Sequence, residues 1–512
     1  MRKIVIALMV LCLTTSLVFA AKNAFEYGVE AYEQGNNEIA IEQFTIALKK
    51  KSNNVFSHIY RALAYVELDK YDKAFEDYNL AIALEPNYAE AYYYRANAYS
   101  DIGNYTKAIT DYSKVIEIDA NYTEAYYSRA NVYNHIGDYA KAIADYSKVI
   151  EIDANYTEVY YSRANTYSDA GDYSKAIADY SKVIEIDVNH TNAYINRGSN
   201  YVNLGDYAEA IFDFNQAINI NPNEVFAYNN RALAYVKIGD HAKAIDDFDQ
   251  VIKLYPEYAR AYIYRANTYS KLGNYEKAVE DYTQAIKLDP KNAIVYNYRA
   301  FAYIKIGNYA KVIKDATQAI KLDPDDAKAY SYRALAYNNL GNYDEAISDY
   351  TQAIELAPNK VSTYIGRGLA YSMIDDYSKA IEDFTQAIKL NPNNIDIYNN
   401  RAISYSRLGE YDKALEDYAS SIEINPNHAK TYYSRAFAYS TLRDYNKAVA
   451  DFTQAIDLDP NNANAYINRA IAHKALNNFE NATRDAKTAC ELGECKLFQP
   501  SESSEETELE NY

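Results

Sequence analysis

The chain has 512 residues, a formal net charge of −19, and 59 tyrosines but no tryptophan. Its acidic excess disfavours nucleic acids and anionic membrane surfaces as partners, because both repel negative charge. The apolar share of 49% is ample for a folded core, and tyrosine carries much of it.

The amino-terminal segment, residues 1–20, has the pattern of a secretory signal peptide. Arg2 and Lys3 precede an apolar stretch at residues 4–13, and small residues follow it up to the expected cleavage site after Ala20. We therefore expect an exported protein, periplasmic or secreted, with no membrane insertion after cleavage. The alternative is an uncleaved amino-terminal membrane anchor, although the apolar stretch is short for a membrane span.

A 34-residue pattern then recurs fourteen times without a gap, from Ala21 to Lys496. Repeats begin at residues 21, 55, 89 and so on, and we call a position within a repeat its slot. Slot 8 is Ala or Gly in all fourteen repeats, slot 20 is Ala in thirteen, and slot 24 is Tyr or Phe in twelve. Self-similarity at a fixed period of this size indicates a solenoid.

Each repeat is predicted to form two helices. Slots 4, 8 and 11 share one stripe of a first helix, and slots 20, 24 and 27 share one stripe of a second. Small side chains at slots 8 and 20 allow the helices to cross closely. Glycine after the first helix, as at Gly103, suits a left-handed cap, and proline at slot 32 ends the second helix in nine repeats.

These spacings resemble the tetratricopeptide repeat family, and the resemblance covers residues 21–496. It implies an all-α fold, a right-handed superhelical solenoid of about fourteen helix–turn–helix repeats. In this family the first helices line a concave groove that binds proteins or peptides. Two departures stand out: Tyr usually replaces the family's Trp at slot 4, and Arg replaces its Leu at slot 7 from Arg61 onward.

A charged pair recurs with the repeat. Repeats 2 to 14 carry Arg at slot 7 and Asp at slot 23, as in Arg163 and Asp179, whereas repeat 1 has Tyr27 and Gln43. We predict a salt bridge between the two helices of one repeat. The alternative is a row of arginines that binds anionic ligands, which is disfavoured because each arginine already has a carboxylate within reach.

The resemblance places slots 2, 5, 6, 9, 12 and 13 on the groove, and these slots are rich in Tyr, Asn and Ser. Asparagine can hydrogen-bond a peptide backbone, and tyrosine offers a large contact area, so we expect an extended peptide or protein partner. An alternative function is an envelope polysaccharide-binding solenoid that stacks sugars on groove tyrosines. No repeat has the Lys at slot 5 with Asn at slot 9 by which co-chaperones of this family clamp a carboxylate. The candidate groove residues are Tyr93, Asn97, Tyr127, Asn131, Tyr161, Asn165, Asn196, Asn229, Asn230, Tyr264 and Asn267.

No catalytic, metal-binding or cofactor-binding motif stands out, so we predict a scaffold that is not an enzyme and has no cofactor.

Repeat 9 departs most from the pattern, since Val312 crowds the close crossing and Ala316 removes the aromatic ring one turn away. We expect a looser joint at that repeat.

The carboxyl-terminal end has two features. Cys490 and Cys495 flank the last turn and are expected to form a disulfide if the protein is exported. Residues 497–512 are acidic and polar, and we expect this tail to be disordered.

Overall fold

The protein is described by a computed structural model over residues 23–495, so the predicted signal peptide and the whole acidic tail lie outside the described residues. The described part forms 28 α-helices and contains no strand. In chain order they are α1 (Ala24–Glu33), α2 (Asn37–Lys50), α3 (Val55–Val66), α4 (Tyr71–Leu84), α5 (Ala89–Asp101), α6 (Tyr105–Ile118), α7 (Thr123–His135), α8 (Tyr139–Ile152), α9 (Thr157–Asp169), α10 (Tyr173–Ile186), α11 (Thr191–Leu204), α12 (Tyr207–Ile220), α13 (Val225–Ile238), α14 (His241–Leu254), α15 (Ala259–Lys271), α16 (Tyr275–Leu288), α17 (Ala293–Lys305), α18 (Tyr309–Leu322), α19 (Ala327–Asn339), α20 (Tyr343–Leu356), α21 (Val361–Met373), α22 (Tyr377–Leu390), α23 (Ile395–Arg407), α24 (Tyr411–Ile424), α25 (Ala429–Thr441), α26 (Tyr445–Leu458), α27 (Ala463–Ala475) and α28 (Phe479–Glu491).

Every repeat supplies one odd-numbered first helix and one even-numbered second helix. Within each of the two compact units described below, the two helices of a repeat pack on each other, and the second helix also packs on the first helix of the following repeat. The predicted fold class, an all-α solenoid of helix–turn–helix repeats, is confirmed. The chain divides into two compact units between Gln250 and Val251, within α14, and each unit stacks its own repeats in this way.

The turn between the two helices of a repeat uses a left-handed residue at slot 15. Gly103 has φ of 76°, and its equivalents in most repeats are also glycines with positive φ. Four repeats place another residue in this conformation, which is strained for a side chain with a Cβ. These are Asp69, Asp375, Arg443 and Asn477.

The close crossing within a repeat forms as expected. In repeat 3, Ala96 and Ala108 are fully buried in one cluster with Tyr112, whose side chain is only 2% exposed. Val132 of the following repeat completes that cluster. One repeat therefore cannot bury its own apolar stripe, and stability depends on stacking of neighbours.

The predicted salt bridge within each repeat is confirmed for all thirteen arginine–aspartate pairs. Nε and Nη2 of each arginine donate to the two carboxylate oxygens over 2.6–2.9 Å, which is bidentate geometry. The aspartates are buried. The arginines are therefore committed to structure and do not form a free row for anionic ligands.

Eleven of these arginines have a further contact that the sequence did not predict. Nη1 of Arg163 donates to Ser147 Oγ, at slot 25 of the preceding repeat, over 2.8 Å. Ten other arginines make the same contact to a Ser, Thr or Asn at slot 25. The arginine thus joins three helices from two repeats. Among the described residues, Arg435, whose slot-25 neighbour is Ala419, has hydrogen bonds only to its own aspartate.

The tyrosines at slots 4 and 11 enclose this guanidinium. The Arg163 Cζ atom lies 5.8 Å from the ring centroids of both Tyr160 and Tyr167, within cation–π range. The two departures from the family pattern, Tyr at slot 4 and Arg at slot 7, are therefore in contact with each other.

In repeat 9, Val312 and Ala316 are both fully buried, and the looser joint there stays a prediction.

Candidate functional site

Slots 2, 6, 9 and 13 lie at i, i+4, i+7 and i+11 on one stripe of each first helix, and most residues at these slots are exposed or half-buried. In repeat 3 this stripe consists of Glu90, Tyr94, Asn97 and Asp101. Neighbouring first helices contact each other within each unit, so their stripes lie side by side. We call this surface the first-helix face, and it is the candidate binding surface.

The tyrosines at slot 5 lie between neighbouring first helices, not on the open face. The ring of Tyr93 packs 6.0 Å from that of Tyr112 and 5.3 Å from that of Tyr122. Its hydroxyl lies 3.4 Å from Ser128 Oγ on the next first helix. Tyr127 repeats this arrangement with Tyr146, Tyr156 and Ser162. Sequence position alone had grouped slot 5 with the open slots.

Asparagines at slot 9 are paired with the core tyrosine of their own repeat. The Tyr112 hydroxyl donates to Asn97 Oδ1 over 2.6 Å, and Tyr146 donates to Asn131 Oδ1 over the same distance. The pairs Tyr180–Asn165 and Tyr282–Asn267 are equivalent, at 2.5 and 2.7 Å. Because Oδ1 is held by the core, the Nδ2 donor of each amide is directed away from that hydroxyl, towards the face.

Burial explains why these tyrosines remain hydrogen-bond donors. It raises the pKa of the Tyr282 hydroxyl to about 12, since the phenolate would lose its hydration. Burial likewise raises the pKa of Tyr112, with a smaller contribution from the neighbouring Tyr93. The asparagine oxygen therefore faces a neutral hydroxyl over the whole physiological pH range.

The remaining predicted residues differ in role. Asn196 donates from Nδ2 to the Tyr161 hydroxyl over 3.0 Å and to Asn165 Oδ1 over 3.1 Å, linking repeats 5 and 6. Asn229 is 7% exposed, and its Nδ2 donates to Asn230 Oδ1 over 3.3 Å. Tyr264 is half-buried on α15. The structure therefore brings together Tyr161, Asn165 and Asn196, and it buries Asn229 inside the stack.

A shallow cavity of about 300 Å³ opens on this surface between repeats 3 and 4. Tyr112, Ser128, Asn131 and His135 contribute to its lining. The lining combines an aromatic ring edge with hydroxyl, amide and imidazole groups, so the cavity can accept one polar or aromatic side chain of a bound segment.

The described residues contain neither a cluster of three or more His, Cys, Asp or Glu side chains that could hold a metal ion, nor a helix long and apolar enough to span a membrane. At the carboxyl-terminal end, Cys490 and Cys495 are joined by a disulfide, with their Cα atoms 4.1 Å apart.

The repeat units match models of the tetratricopeptide repeat over residues 89–190, 225–292 and 327–462, with further matches at 62–103, 198–239 and 281–314. The chain belongs to the tetratricopeptide repeat family. Proteins of this family are typically scaffolds for protein–protein interaction.

Solved structures share the repeat at low sequence identity. Yeast Tom70 is 20% identical and the alignment covers 80% of this chain and 93% of Tom70, with a TM-score of 0.33. MamA is 29% identical, with 32% of this chain and 96% of MamA covered and a TM-score of 0.31. YrrB, described as a TPR protein with an unusual peptide-binding site, is 22% identical, with 36% of this chain and 95% of YrrB covered and a TM-score of 0.33. No curated protein matches the chain.

Proposed function

We propose that this tetratricopeptide repeat protein is a non-enzymatic scaffold that binds an extended peptide or protein segment along its first-helix face. The observation that carries the proposal is the tyrosine–asparagine pair repeated in consecutive repeats. Asn97, Asn131 and Asn165 each have Oδ1 held by a core tyrosine, so their Nδ2 donors are set in advance. A donor that is already oriented loses little entropy when it binds a ligand.

The spacing of these donors suits an extended chain. Packed helices lie ~10 Å apart, and an extended peptide advances ~3.4 Å per residue, so one asparagine would meet about every third peptide residue. Backbone carbonyls would accept the Nδ2 bonds, and the cavity lined by Tyr112, Ser128 and Asn131 would take one side chain. Recognition of this kind depends on an extended backbone more than on a particular sequence.

The site of action that we propose is outside the cytoplasm. Support comes from the signal-peptide pattern of residues 1–20 and from the disulfide between Cys490 and Cys495, a bond that persists in oxidising compartments. A sugar-binding role gains no support from the geometry. The rings of Tyr93, Tyr127 and Tyr161 each pack against at least two further aromatic rings, so they do not offer free flat platforms for sugar stacking.

A peptide-display library screened against the mature full-length chain tests the proposal. We expect enriched peptides to lose at least tenfold in affinity when Asn97, Asn131 and Asn165 are all changed to Ala. The matched control changes Lys114, Lys148 and Lys182 to Ala, which are lysines on the second helices of the same three repeats. Peptides that bind both variants alike, or a library with no enrichment beside clear binding on a glycan array, would refute the proposal.

A further inference from the structure

The first-helix face of the second unit is basic, although the whole chain is acidic. Along slots 2, 6, 9 and 13 of the first helices between residues 259 and 475, Asp396 is the sole acidic residue. In repeats 2 to 5 the same slots carry six carboxylates and no Lys or Arg. The basic side chains of the second unit's face are Arg260, Lys271, Lys305, Lys328, Arg407 and Lys430.

These basic groups are exposed and have no carboxylate within salt-bridge distance among residues 23–495. Some lysines on the second helices of the same unit do have a carboxylate partner. Lys379 pairs with Asp376 over 2.8 Å, and Lys413 pairs with Glu410 over 2.6 Å. Part of the positive charge on the second helices is therefore balanced locally, whereas none of the six basic groups on the first-helix face has such a carboxylate partner among residues 23–495.

An apolar line runs between the basic positions. Slot 9, which is Asn in repeats 3 to 5, is a large apolar residue in most repeats of the second unit. Phe437 is 56% exposed and Ile471 is 51% exposed, and Ile403 is also exposed. Slots 2 and 13 lie towards the two ends of each first helix, so the basic residues flank this line. Such a surface suits an acidic peptide that also carries apolar side chains.

A segment of that chemistry follows the last helix. Residues 499–512 contain five glutamates, and Leu509 and Tyr512 are interspersed with them. The 17 residues beyond the last described residue span up to ~58 Å when extended. Successive first helices lie ~10 Å apart, so a segment that starts after α28 can reach across α27 and α25 to α23.

We propose that residues 499–512 bind in cis to the first-helix face of repeats 12 to 14, with glutamates at Arg407 and Lys430 and apolar side chains along Ile403, Phe437 and Ile471. This inference rests on the proposed function, because it identifies the chemistry of the ligand for part of the same surface. The segment acts as a reversible occupant that an acidic partner must displace. A short tether gives an effective concentration in the ~mM range, so a weak intrinsic affinity suffices.

A fluorescein-labelled synthetic peptide of residues 499–512 tests the inference by fluorescence anisotropy on full-length protein. The host variant changes Glu502, Glu505, Glu506, Glu508 and Glu510 to Gln, so that its own tail cannot compete. We expect the peptide to bind this variant at least tenfold more tightly than it binds the wild-type chain. Raising NaCl should weaken that binding, because exposed ion pairs are screened.

Two further variants in the glutamine-tail background localise the site. Arg407→Glu with Lys430→Glu should lower the affinity of the peptide at least tenfold. Lys314→Glu with Lys389→Glu makes the same change in net charge on exposed second-helix positions and should leave the affinity within about twofold, as expected for charges away from the site.

Absence of peptide binding to the glutamine-tail variant, or equal binding to both charge-reversed variants, would overturn the inference. So would association of wild-type molecules that increases with concentration and is lost in the glutamine-tail variant, because the tail would then bind a second copy. If the library peptides of the preceding test still bind while the tail peptide does not, the inference fails and the scaffold proposal stands.

Discussion

Arg163 and Asp179 form a bidentate pair between the two helices of repeat 5, with Nε and Nη2 of the arginine 2.7 and 2.8 Å from the two carboxylate oxygens. The remaining Nη1 group reaches Ser147 of repeat 4. One side chain thereby couples the internal geometry of a repeat to its contact with the preceding repeat. Several expectations for stability depend on this junction.

Removal of the buried carboxylate should open the array locally. We expect Asp179→Ala to destabilise repeat 5 by about 3 kcal/mol, because the Arg163 side chain, which is only 16% exposed, is left without its carboxylate partner. Hydrogen exchange by mass spectrometry should show lost protection in α9 and α10, while the near-identical junction of Arg129 and Asp145 in repeat 4 serves as the internal reference. Uniform protection in both repeats would contradict this expectation.

The junction of repeat 13 can be completed by mutation. We expect Ala419→Thr to stabilise the contact between repeats 12 and 13 by about 1 kcal/mol, since the new hydroxyl can accept from Arg435 Nη1. Ala419→Val is the matched control, because valine has the shape of threonine without its hydroxyl. The prediction fails if slowing of exchange in α24 and α25 is the same for Val and Thr.

The left-handed turn at Arg443 is a second position for stabilisation. Arg443 has φ of 63°, where most repeats have glycine. We expect Arg443→Gly to stabilise the turn between α25 and α26 by about 1 kcal/mol, because glycine has no Cβ to strain. The converse change, Gly409→Ala in the preceding repeat, should destabilise by a similar amount, and both can be measured by local exchange rates.

Stability should decline at alkaline pH because of buried tyrosines. Burial raises the pKa of Tyr282 and of Tyr418 to about 12, whereas an exposed tyrosine titrates at about pH 10. An acid whose folded pKa is raised keeps its proton in the fold, so stability is lost as pH rises through the unfolded value. We expect unfolding, followed by circular dichroism, to begin above about pH 10 and to coincide with a rise in tyrosinate absorbance. Tyrosinate absorbance that develops fully while the helices remain intact would contradict this.

Much of the fold could be predicted from periodicity, because slots 8, 20 and 24 repeat a requirement for close packing. The pairing of Arg163 with Asp179 could also be predicted, since both positions lie near one helix crossing. The contact of Arg163 with Ser147 could not, because it depends on how one repeat sits on the preceding one. A signal was present, since slot 25 is Ser, Thr or Asn in most repeats.

The binding surface was less predictable. Tyr93 and Asn97 lie one turn apart on the same helix, yet the first packs between helices and the second holds its amide towards the face. A helical period of 3.6 residues places both residues near the edge of the buried stripe. It does not determine which of the two side chains a neighbouring helix covers. The basic face of the second unit was readable from slots 2 and 13, but only once the exposed stripe was known.

The Nη1 contact of these arginines runs to the preceding repeat, so the two ends of the stack are not equivalent. Repeat 1 has Tyr27 in place of the arginine, yet its Thr45 accepts a hydrogen bond from Arg61. Repeat 14 keeps Arg469 but has Lys487 where an accepting hydroxyl or amide would stand. A unit duplicated at most interior positions finds an accepting Ser, Thr or Asn on the preceding repeat. A unit joined beyond repeat 14 would set a lysine against the incoming guanidinium, so like-charge repulsion would oppose growth at that end.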